Sequence, residues 1–218
     1  MDSSSAPSSV RLLSVNVGAL ERLAAGSRTR TGIGKHPVGG LVLCDAMGLV
    51  GDAIGNRTHH GGADQAVYLY SLADYAWWSD QLGHACPPGL FGENLTLDRW
   101  WEAPRVGDRL RLGDVVLELT APRIPCSTLA TRLGRGEFVR QFRQAARPGA
   151  YARVVHSGAL AAGLVGHVEY GDRQWPTIAA LFGLWYQEPR ERGALLNALR
   201  APLAVRLRER LLRWVAEG

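Results

Sequence analysis

The sequence predicts a mainly β, α+β fold: a β-barrel with short helices and a C-terminal appendage of three helices. Three observations carry this. Short apolar runs of strand length recur between residues 10 and 170, broken by glycines and Gly-Asp turns. Two of these runs, 109–112 and 115–120, flank Gly113-Asp114 and make a hairpin signature. From residue 177 onward the apolar spacing becomes helical and is punctuated by prolines.

The 218 residues suffice for one large domain, or a domain with an appendage. With 46% hydrophobic and 21% charged residues, the composition is that of a globular protein. No run of about 18 apolar residues is present, so no membrane span is expected. Residues 1–9, rich in serine, lack a charged-then-apolar export pattern and read as a disordered leader. Cys44, Cys86 and Cys126 are odd in number and far apart. Without an export signal they read as reduced thiols, which points to the cytoplasm. The net charge is +5, and Lys35 is the single lysine among 25 basic residues. The arginines are scattered rather than grouped with aromatics. That argues against a nucleic-acid partner and for a small anionic ligand.

In chain order, residues 10–17 are the first expected strand and the Gly-, Arg- and Thr-rich stretch 18–35 a loop. A second strand is expected at 38–44, a turn at 48–52 and a polar segment at 55–62. Residues 66–70 read as a buried strand. Leu72, Tyr75, Ala76, Trp78 and Leu82 recur at helical spacing and predict a helix over 72–82. Pro87, Pro88 and Gly89 break it. Strands follow at 93–97 and 109–112, then a half-buried strand at 115–120. Short helices are expected at 127–133 and 137–145, and strands at 151–155 and 165–170. The barrel is thus assigned to 10–176 and the helical extension to 177–218, with helices at 177–186, 191–199 and 202–216. In the last helix Leu203, Leu207, Leu211 and Val215 form one apolar stripe. The stripe needs a partner, either the barrel itself or a second copy in a homodimer through the tail.

The chemistry centres on Pro122-Arg123-Ile124-Pro125-Cys126. The two prolines stiffen a loop at a strand end, and Cys126 sits on it. Arg123 beside it favours a thiolate, and a thiolate is a nucleophile or a soft metal ligand. The plainer reading is a small buried hydrophobe. The segment His59-His60-Gly61-Gly62 lacks the further Cys or His of a zinc site. Its glycines either present N–H groups to an anion or simply turn the chain. Lys35 ends Gly32-Ile33-Gly34-Lys35, which lacks phosphate-loop spacing. Asp52 reads as a turn acid that accepts backbone N–H bonds. Glu93 and Asn94 read as turn residues, with Asn94 alternatively offering an amide edge to a heterocycle. Neither a Ser/His/Asp set nor a dinucleotide fingerprint is present. The tryptophans read as packing residues.

Seven motifs now stand in order. They are Gly34-Lys35 with Val38, Gly48-Leu49-Val50-Gly51-Asp52, His60-Gly61-Gly62 with Ala66-Val67-Tyr68, Phe91-Gly92-Glu93-Asn94-Leu95, Val106-Gly107-Asp108, Pro122-Arg123-Ile124-Pro125-Cys126 and Arg147-Pro148-Gly149-Ala150-Tyr151. The set resembles the MOSC domain, named for the C-terminal domain of molybdenum cofactor sulfurases, and its YiiM-like branch in particular. The resemblance spans residues 10–170, and the tail resembles the three-helix extension of that branch. It implies a β-barrel that binds the molybdenum cofactor (molybdopterin carrying molybdenum), with Cys126 as metal ligand and catalytic residue. It implies Lys35, Arg57 and Arg123 against the anionic cofactor, and His60, Gly61, Gly62 and Asn94 along its polar edges. Three positions depart from the family pattern: Leu164 stands where aspartate is common, Ala63 where proline is, and Ala150 where a larger residue is.

The resemblance further implies an oxidoreductase that reduces a small N-hydroxylated substrate of the hydroxylaminopurine or amidoxime type. No flavin, haem or iron–sulfur ligand set is visible, so an external electron-donor reductase is implied. His60 is the candidate for proton delivery. Two other readings stand beside this one. The first is a non-catalytic carrier that holds the cofactor or sulfur on Cys126. The second is a barrel serving in protein interaction through its tail.

Overall fold

The hairpin read from Gly113-Asp114 forms with Val115 opposite Leu112 and Glu118 opposite Arg109. Leu110 and Leu112 are buried while Arg109 and Arg111 are exposed, as a period of two requires. The computed structural model describes residues 9–25, 27–55 and 61–217. Arg57, His59, His60 and leader residues 1–8 lie outside the described residues. Ser9, expected in the leader, is already strand and pairs with His167.

The strands in the first half are β1 (Ser9–Val17), β2 (Glu21–Arg22), β3 (Arg30–Thr31), β4 (His36–Pro37), β5 (Val42–Asp45), β6 (Gly48–Leu49), β7 (Val67–Ser71) and β8 (Leu95–Leu97). Those in the second half are β9 (Arg109–Leu112), β10 (Val115–Pro122), β11 (Ala150–His156), β12 (Gly158–Leu160) and β13 (Val165–Glu169). The helices are α1 (Leu72–Leu82), α2 (Ser127–Arg132), α3 (Phe138–Ala145), α4 (Ile178–Tyr186), α5 (Arg192–Ala198) and α6 (Val205–Glu217). Seven strands run in the order β13-β9-β10-β11-β7-β8-β1, and β13 pairs again with β1. The sheet therefore closes into a barrel and leaves no open edge in that ring. Every pairing in the ring is antiparallel except β7 with β8.

Several expectations shift in detail. The stretch 18–35 is not all loop, because β2 and β3 pair within it. The second strand begins at Val42 rather than residue 38, and β12 pairs with it although no strand was expected there. The strand expected as half-buried, β10, is buried at all eight positions. Its second face is covered as well: the Glu118 carboxylate accepts from Arg109 Nε at 2.9 Å and Arg153 Nη1 at 3.3 Å, and Thr120 Oγ1 donates to the Asp64 carbonyl at 2.6 Å. A strand covered on both faces loses the alternation of a half-exposed one.

Local chemistry sets the helix ends. The Ser71 hydroxyl accepts from the Asp74 N–H at 3.1 Å and starts α1, and the Thr177 hydroxyl accepts from the Ala180 N–H at 3.0 Å and starts α4. Gly83 closes α1 in the left-handed conformation. The stripe of α6 finds its partner within the chain. Leu203, Leu207 and Leu211 are buried in the same aliphatic core as Leu12, Leu69, Leu95 and Leu117. The barrel and the tail therefore share one core.

Alternation along β7 separates two environments. Val67 and Leu69 join the aliphatic core, whereas Tyr68 and Tyr70 join an aromatic cluster with Tyr75, Trp78, Phe91, Phe138 and Phe142. The tryptophans Trp78 and Trp101 are buried packing residues, as expected.

Candidate functional site

Tyr68 and Tyr151 are cross-strand partners on β7 and β11, with ring centres 5.0 Å apart. They face away from the aliphatic core and form part of the wall of a cleft of about 150 Å³. Five of the residues expected from sequence also line it: Lys35, Gly61, Asn94, Arg123 and Cys126. Gly62 stands one residue behind the wall and opens a single 3-10 turn over Ala63–Gln65. Arg57 and His60 lie outside the described residues.

Cys126 reaches the cleft because β10 ends at Pro122 and α2 begins at Ser127. Cys126 itself is extended, and its carbonyl accepts the Leu129 N–H at 3.1 Å as α2 starts. The residue is half-buried, unlike Cys44 and Cys86, which are buried. Burial pushes the Cys44 thiol up to about 12 and raises that of Cys86. The plainer reading of Cys126 as a buried hydrophobe therefore does not hold for it, and does hold for the other two.

Arg123 is buried, with 6% exposure. Its Nη1 donates to the Phe91 carbonyl at 2.8 Å, and its guanidinium carbon lies 5.0 Å from the Tyr68 ring centre. Burial works against its charge, but Tyr151, Tyr68, Cys126 and Glu93 around it hold its pKa above the ordinary value. Its Nε has no hydrogen-bond partner among the described residues. A buried donor left in that state costs about 1–3 kcal/mol, which a bound acceptor would recover.

Lys35 is 7% exposed and ion-paired with Asp52. Burial lowers the pKa of its ammonium, against the opposing pull of Asp52. Asp52 accepts the Gly18 N–H at 2.9 Å, as expected of a turn acid, and it also accepts Asn94 Nδ2 at 2.9 Å. Asn94 is itself tied down, since its Oδ1 accepts the Tyr68 N–H at 3.0 Å. Its amide therefore positions Asp52 and the β7 backbone rather than standing open along its whole edge.

Glu93 is not a surface turn residue. It has no exposure and accepts from Gly89 N–H at 2.6 Å, Tyr75 Oη at 2.7 Å and Thr96 Oγ1 at 2.8 Å. Burial raises its pKa despite these bonds. It lies behind the cleft and acts electrostatically on both Lys35 and Arg123.

Tight contacts at two glycines shape the wall further. A Cβ on Gly32 would stand 1.6 Å from the Ala53 carbonyl oxygen, and one on Gly61, at φ 69°, would stand 2.4 Å from Ile54 Cδ1. Tyr68, Tyr151 and Gln65 were missed as wall residues. Tyr68 and Tyr151 stand inside motifs already singled out, which was the available signal, whereas nothing local marked Gln65. A second cavity, about 400 Å³, opens beside Asp74, Trp100 and Arg147. Its Asp74 carboxylate is already bonded to Arg147 at 2.7 Å and Trp100 at 2.8 Å, and no thiol lines it. The chemistry therefore favours the first cleft.

A profile of the MOSC domain matches residues 56–172. The chain belongs to the MOSC domain family. YflK of Bacillus subtilis is 34% identical over 154 residues, 70% of each chain. A protein named reductase from Gibberella moniliformis is 31% identical over 172 residues, which are 75% of this chain and 30% of that one. YiiM of Escherichia coli is 27% identical over 134 residues, 60% of each chain. The crystal structure of YiiM from Geobacillus stearothermophilus superposes with a TM-score of 0.79 at 24% identity, covering 94% of this chain and 99% of that one. For YiiM from Escherichia coli the TM-score is 0.76 at 20% identity, covering 96% and 94%. These structures show a shared fold. Among the described residues, no helix is long and apolar enough to cross a membrane.

Proposed function

We propose that this MOSC protein binds the molybdenum cofactor in the cleft, with Cys126 as protein ligand to the metal, and reduces N-hydroxylated compounds. One observation carries the reading: a half-buried thiol opens onto the same cleft as two buried cations, Lys35 and Arg123. A soft sulfur donor beside fixed positive charge suits a group that is both thiophilic and anionic. The donor set fits a metal that arrives with ligands of its own. Among the described residues no group of three His, Cys, Asp or Glu could hold a bare ion. The orphaned Nε of Arg123 adds an unspent donor for an anionic oxygen. The reductase named among the relatives supports the reaction class.

When bound, the cofactor supplies the two-electron step that breaks the N–O bond. The nitrogen leaves as the amine or amidine and the oxygen as water, with two electrons from an external reductase and two protons. The chain's own residues hold and orient. Arg123 and Lys35 offset negative charge in a site where burial strengthens each interaction. Asp52, itself held by Asn94, pairs with the Lys35 ammonium and fixes it at the cleft wall. His60 and Arg57 remain proposed for proton delivery and cofactor contact.

The test is molybdenum content by mass spectrometry after expression in a host that makes the cofactor, beside a Cys126→Ala variant. The reading expects near-stoichiometric metal in the parent and loss in the variant. Metal-free parent protein overturns it. Turnover is then followed with an artificial reductant on hydroxylaminopurine and amidoxime compounds. Metal without turnover on either replaces catalysis with the carrier role.

A further inference from the structure

The strongest observation outside the cleft's own residues lies in the tail. Gly61 and Gln65 are cleft wall, and both are held by one side chain from α6. Arg206 Nη1 donates to the Gly61 carbonyl at 3.0 Å and to Gln65 Oε1 at 3.3 Å. The residue before it joins in, since the Val205 N–H donates to Asp64 Oδ2 at 3.1 Å. Asp64 is further tied to the barrel: its Oδ1 pairs with Arg153 at 3.1 Å, and its carbonyl accepts Thr120 Oγ1 at 2.6 Å. Arg153 in turn donates to the Pro202 and Leu203 carbonyls, at 3.2 and 3.1 Å. The Arg206 charge also acts on Tyr151 across the wall.

Gly61 and Gly62 take left-handed backbone, at φ 69° and 88°. Glycine has little conformational preference of its own, so such a segment is ordered by what grips it. The grip here comes from beyond the matched stretch 56–172. We infer that Arg206 is a positioning residue: the C-terminal helix latches the Gly61–Gln65 wall, and binding in the cleft depends on that latch. The binding half rests on the cofactor reading; the latch half does not.

The test compares Arg206→Met and Arg206→Lys with the parent by amide hydrogen exchange and by molybdenum content. In the Met variant, exchange at amides 61–66 should rise about tenfold or more while β10 and β11 keep their protection. Its bound molybdenum should fall about fivefold or more, by the logic that a loosened site is only fractionally competent. The Lys variant, keeping the charge and an ammonium that can donate, should recover part of both. Exchange at 61–66 within about twofold of the parent overturns the latch. A rise spread equally over β10 and β11 also overturns it, since that marks general destabilisation. Raised local exchange with unchanged metal overturns the binding half. A parent without metal sinks the cofactor reading, and the exchange comparison on that same protein still decides the latch.

Discussion

Lys35, the chain's single lysine, is ion-paired with Asp52 on the wall of the cleft that Cys126 enters. Being single makes it separately observable. After reductive ¹³C-methylation, its dimethylamino signal is distinguishable from that of the chain's N-terminus.

The Lys35 signal should titrate below the ordinary lysine value in the folded protein and return to it in urea, because burial lowers its pKa. The folded state then binds fewer protons than the unfolded state between the two values. Stability from this group therefore rises with pH through that window and is least below the folded value. Urea midpoints of the parent and Lys35→Met across alkaline pH check the sign. A parent-minus-variant difference that shrinks as pH rises through the window contradicts it.

Native alkylation should label one thiol. Cys44 is buried, with its thiol pushed up to about 12, and Cys86 is buried with its thiol raised. The thiolate is the reactive form, so iodoacetamide at mild alkaline pH should modify Cys126 first. Peptide mapping reads the site, and a second label appearing at the same rate would contradict the burial.

Glu93→Ala should cost about 3 kcal/mol, because it strands the donors of Gly89, Tyr75 and Thr96 in a water-poor interior. The pH sign is opposite to that of Lys35. Burial raises the Glu93 pKa, so the folded state binds the extra proton above the ordinary carboxylate range. Stability from this group is greatest in acid and falls as pH rises through the folded value. Denaturant titrations at several pH values measure both effects.

Gly32→Ala should destabilise the wall by about 2 kcal/mol or more, since the new Cβ meets the Ala53 carbonyl. Gly39→Ala is the control. Nothing stands within 4 Å of its Cβ, so it should be neutral or gain up to about 1 kcal/mol. Equal losses in the two variants would show that the close approach is unimportant.

Leu211→Ala should cost about 3 kcal/mol, because Leu211 is buried in the core shared by tail and barrel. The shared core also predicts one calorimetric transition for parent and variant. Two transitions would mean that the tail melts by itself.

Much of this molecule was legible locally. The Gly113-Asp114 turn announced the hairpin, and the spacing of Leu72, Tyr75 and Trp78 announced α1 with both of its bounds. The two prolines around Arg123 marked the cysteine that reaches a cleft. What failed locally failed for one reason. Periodicity reports how many faces of an element meet water, and β10 meets none because Arg109, Arg153 and the Asp64 turn close over Glu118 and Thr120 on its second face. Glu93 looked like a turn acid because a polar residue among glycines usually is one, yet three donors converge on it from separate segments.

By itself the sequence determined which residue types stand on which turns: a thiol after a stiff loop, a lone lysine after glycines, an aspartate closing a turn. Only the tertiary structure decided that Lys35, Asp52 and Asn94 meet, and that Arg206 grips Gly61 across 145 positions of chain. Such contacts leave no trace in local spacing. They exist because closing the barrel buries polar groups that must then find partners, wherever along the chain those partners lie.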